Sequence, residues 1–364
     1  MMLYKLVSTM DPARFDNRVV TLWEGGALAG QIEAAGIPVR SLSMARGRPD
    51  PRGVMALVRL LREERPDVLQ TWMYHANLLG TFGARLACVR RLAWNVRTSD
   101  FVGPDPSHQT RLASRLCAVL TRTPLVPEVV VANARSGVSA HAAQGYRPRR
   151  WEVIPNGFDL GRFKPDTEAR AGIRRELGLA SNTPLVGHLA RLDPMKDHAT
   201  FFKAASTVVA GLPGTHFLLA GGGVDACSRQ LRALVADAQL NGFVHLLGER
   251  KDVPSLLAAL DVFVSSSAYG EGFSNVIGEA MACGVPCVVT DVGDSAAIVG
   301  GAGSVVPPGD PGALASAVSK LLRLMPEERR TIGGAAREQV RERYSLAAVV
   351  RRYEELYESL AVGG

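Results

Sequence analysis

Two carboxylates, Glu271 and Glu279, stand eight positions apart around the turn Gly272-Phe273-Ser274-Asn275. The spacing predicts a helix from Asn275 to Cys283, with Ser274 as its N-cap and Gly284-Val285-Pro286 as its stop. A helix N-terminus presents unpaired N–H groups and a partial positive charge, a natural seat for phosphate. Carboxylates beside a phosphate seat suit a ligand that also carries hydroxyls, and a nucleotide sugar has that chemistry. Glu271, in the loop, is expected to meet hydroxyls of a sugar. Glu279 lies among Val276, Ile277, Ala280 and Met281, so it is expected to be part-buried and to need donors, which a ribose supplies. Gly272, Phe273, Ser274 and Asn275 are expected to offer backbone N–H groups to phosphate.

A second pair has the complementary charge. Arg191 and Lys196 lie five apart in His188-Leu-Ala-Arg191-Leu-Asp-Pro-Met-Lys196-Asp-His198, after an apolar strand. Two such cations can straddle a diphosphate, the arginine by a planar fork and the lysine as a point charge. When a sugar leaves a nucleoside diphosphate, charge builds on the β-phosphate, and fixed cations aimed there lower the barrier. In the first half, Gln70-Thr-Trp-Met-Tyr-His75-Ala-Asn77 follows a strand and opens a helix. His75 there can orient a substrate hydroxyl, or it can simply cap or pack the helix. Arg97 and Asp100, after the next strand, are candidates of the same kind. Backbone from Gly248 to Val253, with Arg250 and Val253 in it, is expected to meet the base of a nucleotide.

These residues need loops at the carboxyl ends of parallel strands. Apolar runs that read as strands alternate with helical ones, which predicts an α/β protein with doubly wound, Rossmann-like sheets. In the first half the strands are 18–22, 39–42, 68–71, 92–96, 129–132 and 151–155. In the second they are 185–189, 215–220, 244–247, 262–265, 286–290 and 304–306. The polar stretch Arg162–Thr167 reads as a linker between domains spanning 1–161 and 168–342, and an amphipathic helix over 346–360 dominates the remainder, 343–364. A length of 364 residues suits two such domains.

Charge is uneven. The net value is +7, yet residues 1–150 hold 21 Lys and Arg against 11 Asp and Glu, and the rest is slightly acidic. That half suits an anionic partner such as acidic lipid or a phosphorylated acceptor, or is simply an arginine-rich solvated surface. No nucleic-acid motif accompanies it, so nucleic acid is not expected. No apolar run approaches the ~18 residues of a membrane span. Cys88, Cys117, Cys227, Cys283 and Cys287 lack zinc or thioredoxin spacing and read as reduced thiols of a cytoplasmic protein.

Arg191-x₄-Lys196 and Glu271-x₇-Glu279, with Val153-Ile-Pro-Asn-Gly-Phe-Asp159 and Glu279-Ala-Met-Ala-Cys-Gly-Val-Pro286, resemble the retaining glycosyltransferases of family 4. Thr290-Asp-Val-Gly293 and Val306-Pro-Pro-Gly-Asp310 fit the same pattern. The resemblance implies a GT-B architecture: an acceptor domain, a donor domain, and a final helix that crosses back to the first. It implies transfer of a sugar from a nucleotide-diphosphate donor, with retention, to a glycan or lipid-linked acceptor. Arg191 and Lys196 then correspond to the diphosphate cations, Glu271 to the donor-sugar ligand and Glu279 to the ribose ligand. Gly221 and Gly222 become a glycine turn close to the nucleotide. The chain has no Asp-x-Asp, so no catalytic metal and no further cofactor are expected. Some relatives carry a histidine where Arg97 stands, which removes that histidine from any role here. A peripheral, transient contact with the anionic inner face of a membrane is the corresponding expectation for location.

Three other readings fit these residues. Gly221-x-Gly223-x-x-Ala226, after a strand and with Glu249 further on, matches a short dinucleotide fingerprint and would suit an oxidoreductase. A nucleotide-sugar 2-epimerase of similar architecture would convert the donor without an acceptor. Finally, the chain opens on what reads as the end of a helix. Relatives generally place a strand and a Gly-Gly loop before it, so a truncated, poorly active sugar-nucleotide-binding protein is the third.

Overall fold

A computed structural model of the chain describes residues 2–26, 28–45, 50–98 and 108–362. The polypeptide forms two compact units, one of residues 1–157 with 346–364 and one of residues 158–345.

The first unit holds a parallel pair, β1 (Val19–Thr21) and β2 (Val39–Ser41), and a four-stranded parallel sheet. The latter runs β3 (Leu69–Trp72), β4 (Leu92–Val96), β5 (Val129–Ala132) and β6 (Trp151–Val153) in that order. β4 and β5 are buried along their whole length, as strands covered by helices on both faces must be. Their side chains alternate between two cores. Ala93, Val129 and Val131 join Met2 and Leu6 of the helix Met2–Val7 and Val349, Tyr353 and Leu356 of the last helix, Leu346–Val362. Leu92, Trp94, Val96, Val130 and Ala132 face the other way, against Ala84 of the helix Tyr74–Ala87 and Ala113, Cys117 and Ala118 of the helix His108–Leu120.

The second unit is a six-stranded parallel sheet in the order β12-β11-β10-β7-β8-β9. Its strands are β7 (Leu185–Leu189), β8 (His216–Ala220), β9 (Val244–Leu246), β10 (Val262–Ser265), β11 (Cys287–Thr290) and β12 (Gly303–Val306). Chain direction across the sheet reverses between β7 and β10. Loops leaving those two strands therefore diverge and open a crevice at their carboxyl ends, where ligands of such sheets bind.

Every strand read from the sequence is present within a few residues. The polar stretch Arg162–Thr167 is the exception to the reading as a linker. The chain passes between units at Gly157 and Phe158, and the residues after Phe158 are already packed into the second unit. Phe158 N–H donates to Tyr344 O at 2.8 Å, Phe163 is buried, and Arg337 donates to the carbonyls of Leu160 and Phe163. Two aromatic anchors among polar neighbours carried too little periodicity to show this. The fingerprint after β8 also reads differently. Gly221 to Gly223 make a turn, but the next helix begins only at Arg229, so the glycines do not open a helix N-terminus as a dinucleotide site needs.

Candidate active site

Lys196 and Glu271 lie 75 residues apart and meet because β7 and β10 are neighbours. After β7 the chain makes a short 3-10 turn, Pro194–Lys196, whose start is capped by Asp193 accepting from Met195 N–H at 3.0 Å. Asp197 follows in a left-handed conformation, φ 46°, and caps the helix His198–Gly211 by accepting from Thr200 N–H. Ser266, just after β10, donates to the Lys196 carbonyl at 2.9 Å, and Ala268 N–H donates to Met195 O at 2.8 Å. These bonds lock the lysine loop onto the β10 loop.

Glu271 is 8% exposed. Its Oε1 accepts from Lys196 Nζ in a short ion pair and from Ser267 Oγ at 2.8 Å. The Glu271 backbone is pinned too. A Cβ on Gly293 would stand 2.2 Å from Glu271 O, and Asp294 N–H donates to Gly272 O at 3.0 Å. Gly293 has φ 62°, so only glycine lets the loop after β11 come this close without strain.

The helix predicted from Asn275 runs from Asn275 to Ala282, with Ser274 at the N-cap position. The Ser274 side chain makes no capping hydrogen bond, which leaves the first N–H groups to other partners. Phe273 is buried, stacked on Phe158 at 6.0 Å and edge-on to Tyr344 at 5.6 Å, and so fixes the turn that feeds the helix. A Cβ on Gly278 would overlap the Phe158 ring at 2.2 Å, so that helix lies directly on Phe158. Glu279 sits one turn in, half-buried as expected.

Arg191 is exposed and held by Asp193, with Nε to Oδ2 at 2.9 Å. Burial pushes the Asp193 carboxyl up, but the Met195 N–H and the Arg191 guanidinium outweigh it and hold the carboxyl below its ordinary value. Gly221, φ 151°, lies against the arginine loop: a Cβ there would stand 2.2 Å from Ala190 O. Leu192 N–H donates to Gly222 O at 2.8 Å. Gly221 and Gly222 therefore do border the loop that carries both cations.

Arg250 lies in the backbone stretch expected to meet a base, and its side chain is engaged by carboxylates. Its guanidinium is taken up by Glu176, at 2.6 and 3.2 Å, and by Asp252, at 2.8 and 2.6 Å. That leaves its side chain tied within the fold, at the turn before the helix Val253–Ala258. His75 belongs to the first unit, as second residue of the helix Tyr74–Ala87, half-buried and edge-on to Trp23 at 6.3 Å. Arg97, in the same unit, is half-buried after β4. Asp100 lies outside the described residues.

Sequence reasoning passed over one feature of the second unit. His188, in β7, and His198 are buried, with rings edge-on at 4.9 Å. Burial, with Lys196 and the other imidazole adding to it, lowers His188 to about 3. Burial likewise lowers His198 to about 4. Two neutral imidazoles behind the lysine loop avoid adding charge beside Lys196. An apolar strand with one histidine gave no sign that a second ring would meet it edge-on.

Two family models match the chain: Glycosyltransferase Family 4 over residues 1–162 and Glycosyl transferases group 1 over residues 183–324. Among curated relatives, the chain is 27% identical to an Escherichia coli UDP-Gal:alpha-D-GlcNAc-diphosphoundecaprenol alpha-1,3-galactosyltransferase, over 71% of this chain and 66% of that one. It is 32% identical to a GDP-mannose-dependent monoacylated alpha-(1-6)-phosphatidylinositol monomannoside mannosyltransferase of Corynebacterium glutamicum, over 57% of this chain and 56% of that one. The matched part is thus under two thirds of the length of either relative. Among solved structures, Anabaena HepE in complex with UDP and glucose superimposes with TM-score 0.79 at 26% identity, covering 98% of this chain and 95% of that one. A Rickettsia africae glycosyltransferase shares the fold, with TM-score 0.82 at 18% identity and 94% of its length covered.

Proposed function

The chain belongs to glycosyltransferase family 4, with the GT-B fold, and on that premise we propose that it moves a sugar, with retention, from a nucleoside diphosphate to a lipid-linked or glycan acceptor. The observation that carries the proposal is the buried Glu271 paired with Lys196 beside a helix N-terminus, Ser274 to Asn275, at the sheet's switch point. The diphosphate sits on the N–H groups of Gly272 to Asn275, with Lys196 and Arg191 against its charge. Glu271 takes hydroxyls of the sugar and Glu279 those of the ribose. As the glycosidic bond to the β-phosphate breaks, the new negative charge meets Lys196 and the helix, which are already oriented. In the same-face mechanism the departing phosphate oxygen accepts the acceptor's proton, so the chain supplies position and charge rather than a separate base. With no Asp-x-Asp in the sequence, phosphate charge is assigned to these side chains.

A peripheral contact with anionic membrane is part of the proposal. Among the described residues no helix is long and apolar enough to cross a membrane. The helices Tyr74–Ala87 and His108–Leu120 nevertheless leave Phe82, Leu86, Leu112, Leu116 and Val119 about half exposed. Arg85, Arg111 and Arg115 lie on the same helices, and neither contains an Asp or Glu. Apolar side chains among arginines suit an acidic lipid surface.

The test is a thermal-shift panel of uridine and guanosine diphosphate sugars, followed by turnover with and without a polyprenyl diphosphate-sugar acceptor. Stabilisation by one donor and product only with acceptor is the expected result. Donor isomerised without any acceptor would replace transfer with epimerisation, and no stabilisation by any sugar nucleotide would refute the donor site.

A further inference from the structure

We infer that Arg97 anchors a second oxyanion site, in the first unit, which takes a phosphate or diphosphate group. Arg97 follows β4 directly, at the carboxyl edge of the four-stranded sheet. Its Nη1 donates to Asn95 Oδ1 at 3.2 Å and approaches the Tyr353 hydroxyl at 3.5 Å, and Nη2 donates to Asn156 Oδ1. The guanidinium carbon lies 5.1 Å from the centre of the Trp72 ring. All four of these neighbours are neutral. Asn95 is itself fixed, donating to Tyr353 Oη at 2.9 Å, so the guanidinium is held in one place by groups that cannot neutralise it.

Other part-buried arginines of the chain are treated otherwise. Arg170 and Arg174 pair with Asp261, and Arg250 pairs with Glu176 and Asp252. Arg329 and Arg337 meet carbonyls at the ends of the helices Pro311–Arg323 and Asn275–Ala282, where the helix dipole is negative. Among the described residues Arg97 meets neither a carboxylate nor a helix C-terminus. A half-buried cation without counter-charge is costly unless something supplies one. A planar fork beside an aromatic face suits a phosphate oxygen pair.

The backbone next to it agrees. Met73, between Trp72 and the helix Tyr74–Ala87, has φ 71° and ψ 168°, a region that side-chain-bearing residues avoid. Its N–H donates to Asn95 O at 2.9 Å, so the strained turn and the arginine shelf are one assembly. Strain of this kind, ~1–3 kcal/mol, persists where a ligand clamp is built. His75 stands two residues further on.

This site deepens the transferase reading and rests on it in one respect: the phosphate is assigned to the acceptor. An acceptor whose phosphate lies close to the sugar-bearing group would be held by Arg97, whereas a neutral glycan would not.

The four tryptophans, Trp23, Trp72, Trp94 and Trp151, are all in the first unit, so their emission reports on that unit. The experiment titrates the full chain with farnesyl diphosphate, farnesol and inorganic pyrophosphate while following tryptophan emission. Farnesyl diphosphate is expected to change it saturably and farnesol not at all. Arg97→Gln is expected to weaken the titration at least tenfold, and Arg97→Lys to keep part of it, which separates lost charge from lost fold. Lys196→Ala, in the other unit, is expected to leave it unchanged. Farnesyl diphosphate binding tighter than pyrophosphate marks a lipid headgroup as the natural source, and equal affinities mark a free phosphate. Titration of Arg97→Gln like the parent, or loss of the signal in Lys196→Ala alone, overturns the inference. A chain that binds no sugar nucleotide in thermal shift would fail the transferase reading and leave this titration as it stands.

Discussion

Removing Lys196 tests the donor site through two independent readouts. Lys196 Nζ neutralises a carboxylate that is 8% exposed and that, among the described residues, otherwise receives the Ser267 hydroxyl. Lys196→Ala leaves that carboxylate buried with one donor and no counter-charge. Breaking a buried pair from one side costs about 3–5 kcal/mol. Because the lysine keeps some solvent contact, the low end applies, about 3 kcal/mol. For a unit of this size that corresponds to a drop of roughly 6–12 °C in Tm. The double substitution Lys196→Met with Glu271→Gln removes both charges at similar volume and is expected to recover most of the loss. Far-UV circular dichroism melts measure this, and tryptophan emission, confined to the first unit, serves as the internal control.

The second readout is turnover. Under the proposed function the lysine faces the charge that develops on the departing phosphate, and loss of one such donor is then worth about 10²–10³ in kcat. The double variant, restored in stability, should remain as slow as the single one. That combination separates a site residue from a structural one. A loss under about 1 kcal/mol in Lys196→Ala, or turnover within a few-fold of the parent in the stable double variant, would refute the assignment.

Gly293→Ala is expected to damage activity and stability together. The new Cβ meets the Glu271 carbonyl at 2.2 Å, and φ 62° is strained for alanine. A loss of about 2–4 kcal/mol, measured by denaturant melts, should accompany weaker donor binding. Acid should destabilise the protein below neutrality. Burial lowers His141 and His198 to about 4 and His188 to about 3, from an ordinary 6.5. The unfolded chain takes up these protons first, so the stability is fully present above about pH 6.5 and is lost as pH falls toward about 4, at about 1.4 kcal/mol per pH unit per histidine. A flat profile of Tm between those pH values would count against the buried imidazoles. Co-sedimentation with phosphatidylcholine vesicles containing about a third phosphatidylglycerol should retain the parent chain at low salt and release it at high salt. Leu112→Ser with Leu116→Ser, and Arg111→Gln with Arg115→Gln, should each weaken retention at least tenfold; undiminished retention in both removes the membrane contact from the proposal.

What could be read from the sequence was what lies within one loop or one helix. The strand before Arg191, the turn before Asn275 and the spacing of Glu271 from Glu279 are local, and local patterns survive in a single sequence. What could not be read was pairing across the sheet. Nothing in the chain around Arg250 says that Glu176, 74 residues earlier, would occupy its guanidinium. For the same reason Lys196 and Glu271 appeared as two separate ligands for a substrate, when they are also each other's partner. That changes the chemistry expected of them. Under the proposed function a diphosphate would not arrive at a bare lysine: it would compete with Glu271 for it, and the carboxylate would gain sugar hydroxyls in exchange. A nucleoside diphosphate alone offers the lysine a new partner but gives Glu271 none, whereas the intact sugar nucleotide supplies both. On that reading the ion pair is predicted to favour the complete donor over the spent nucleotide, and exchanging Glu271 for glutamine should narrow the difference between their dissociation constants.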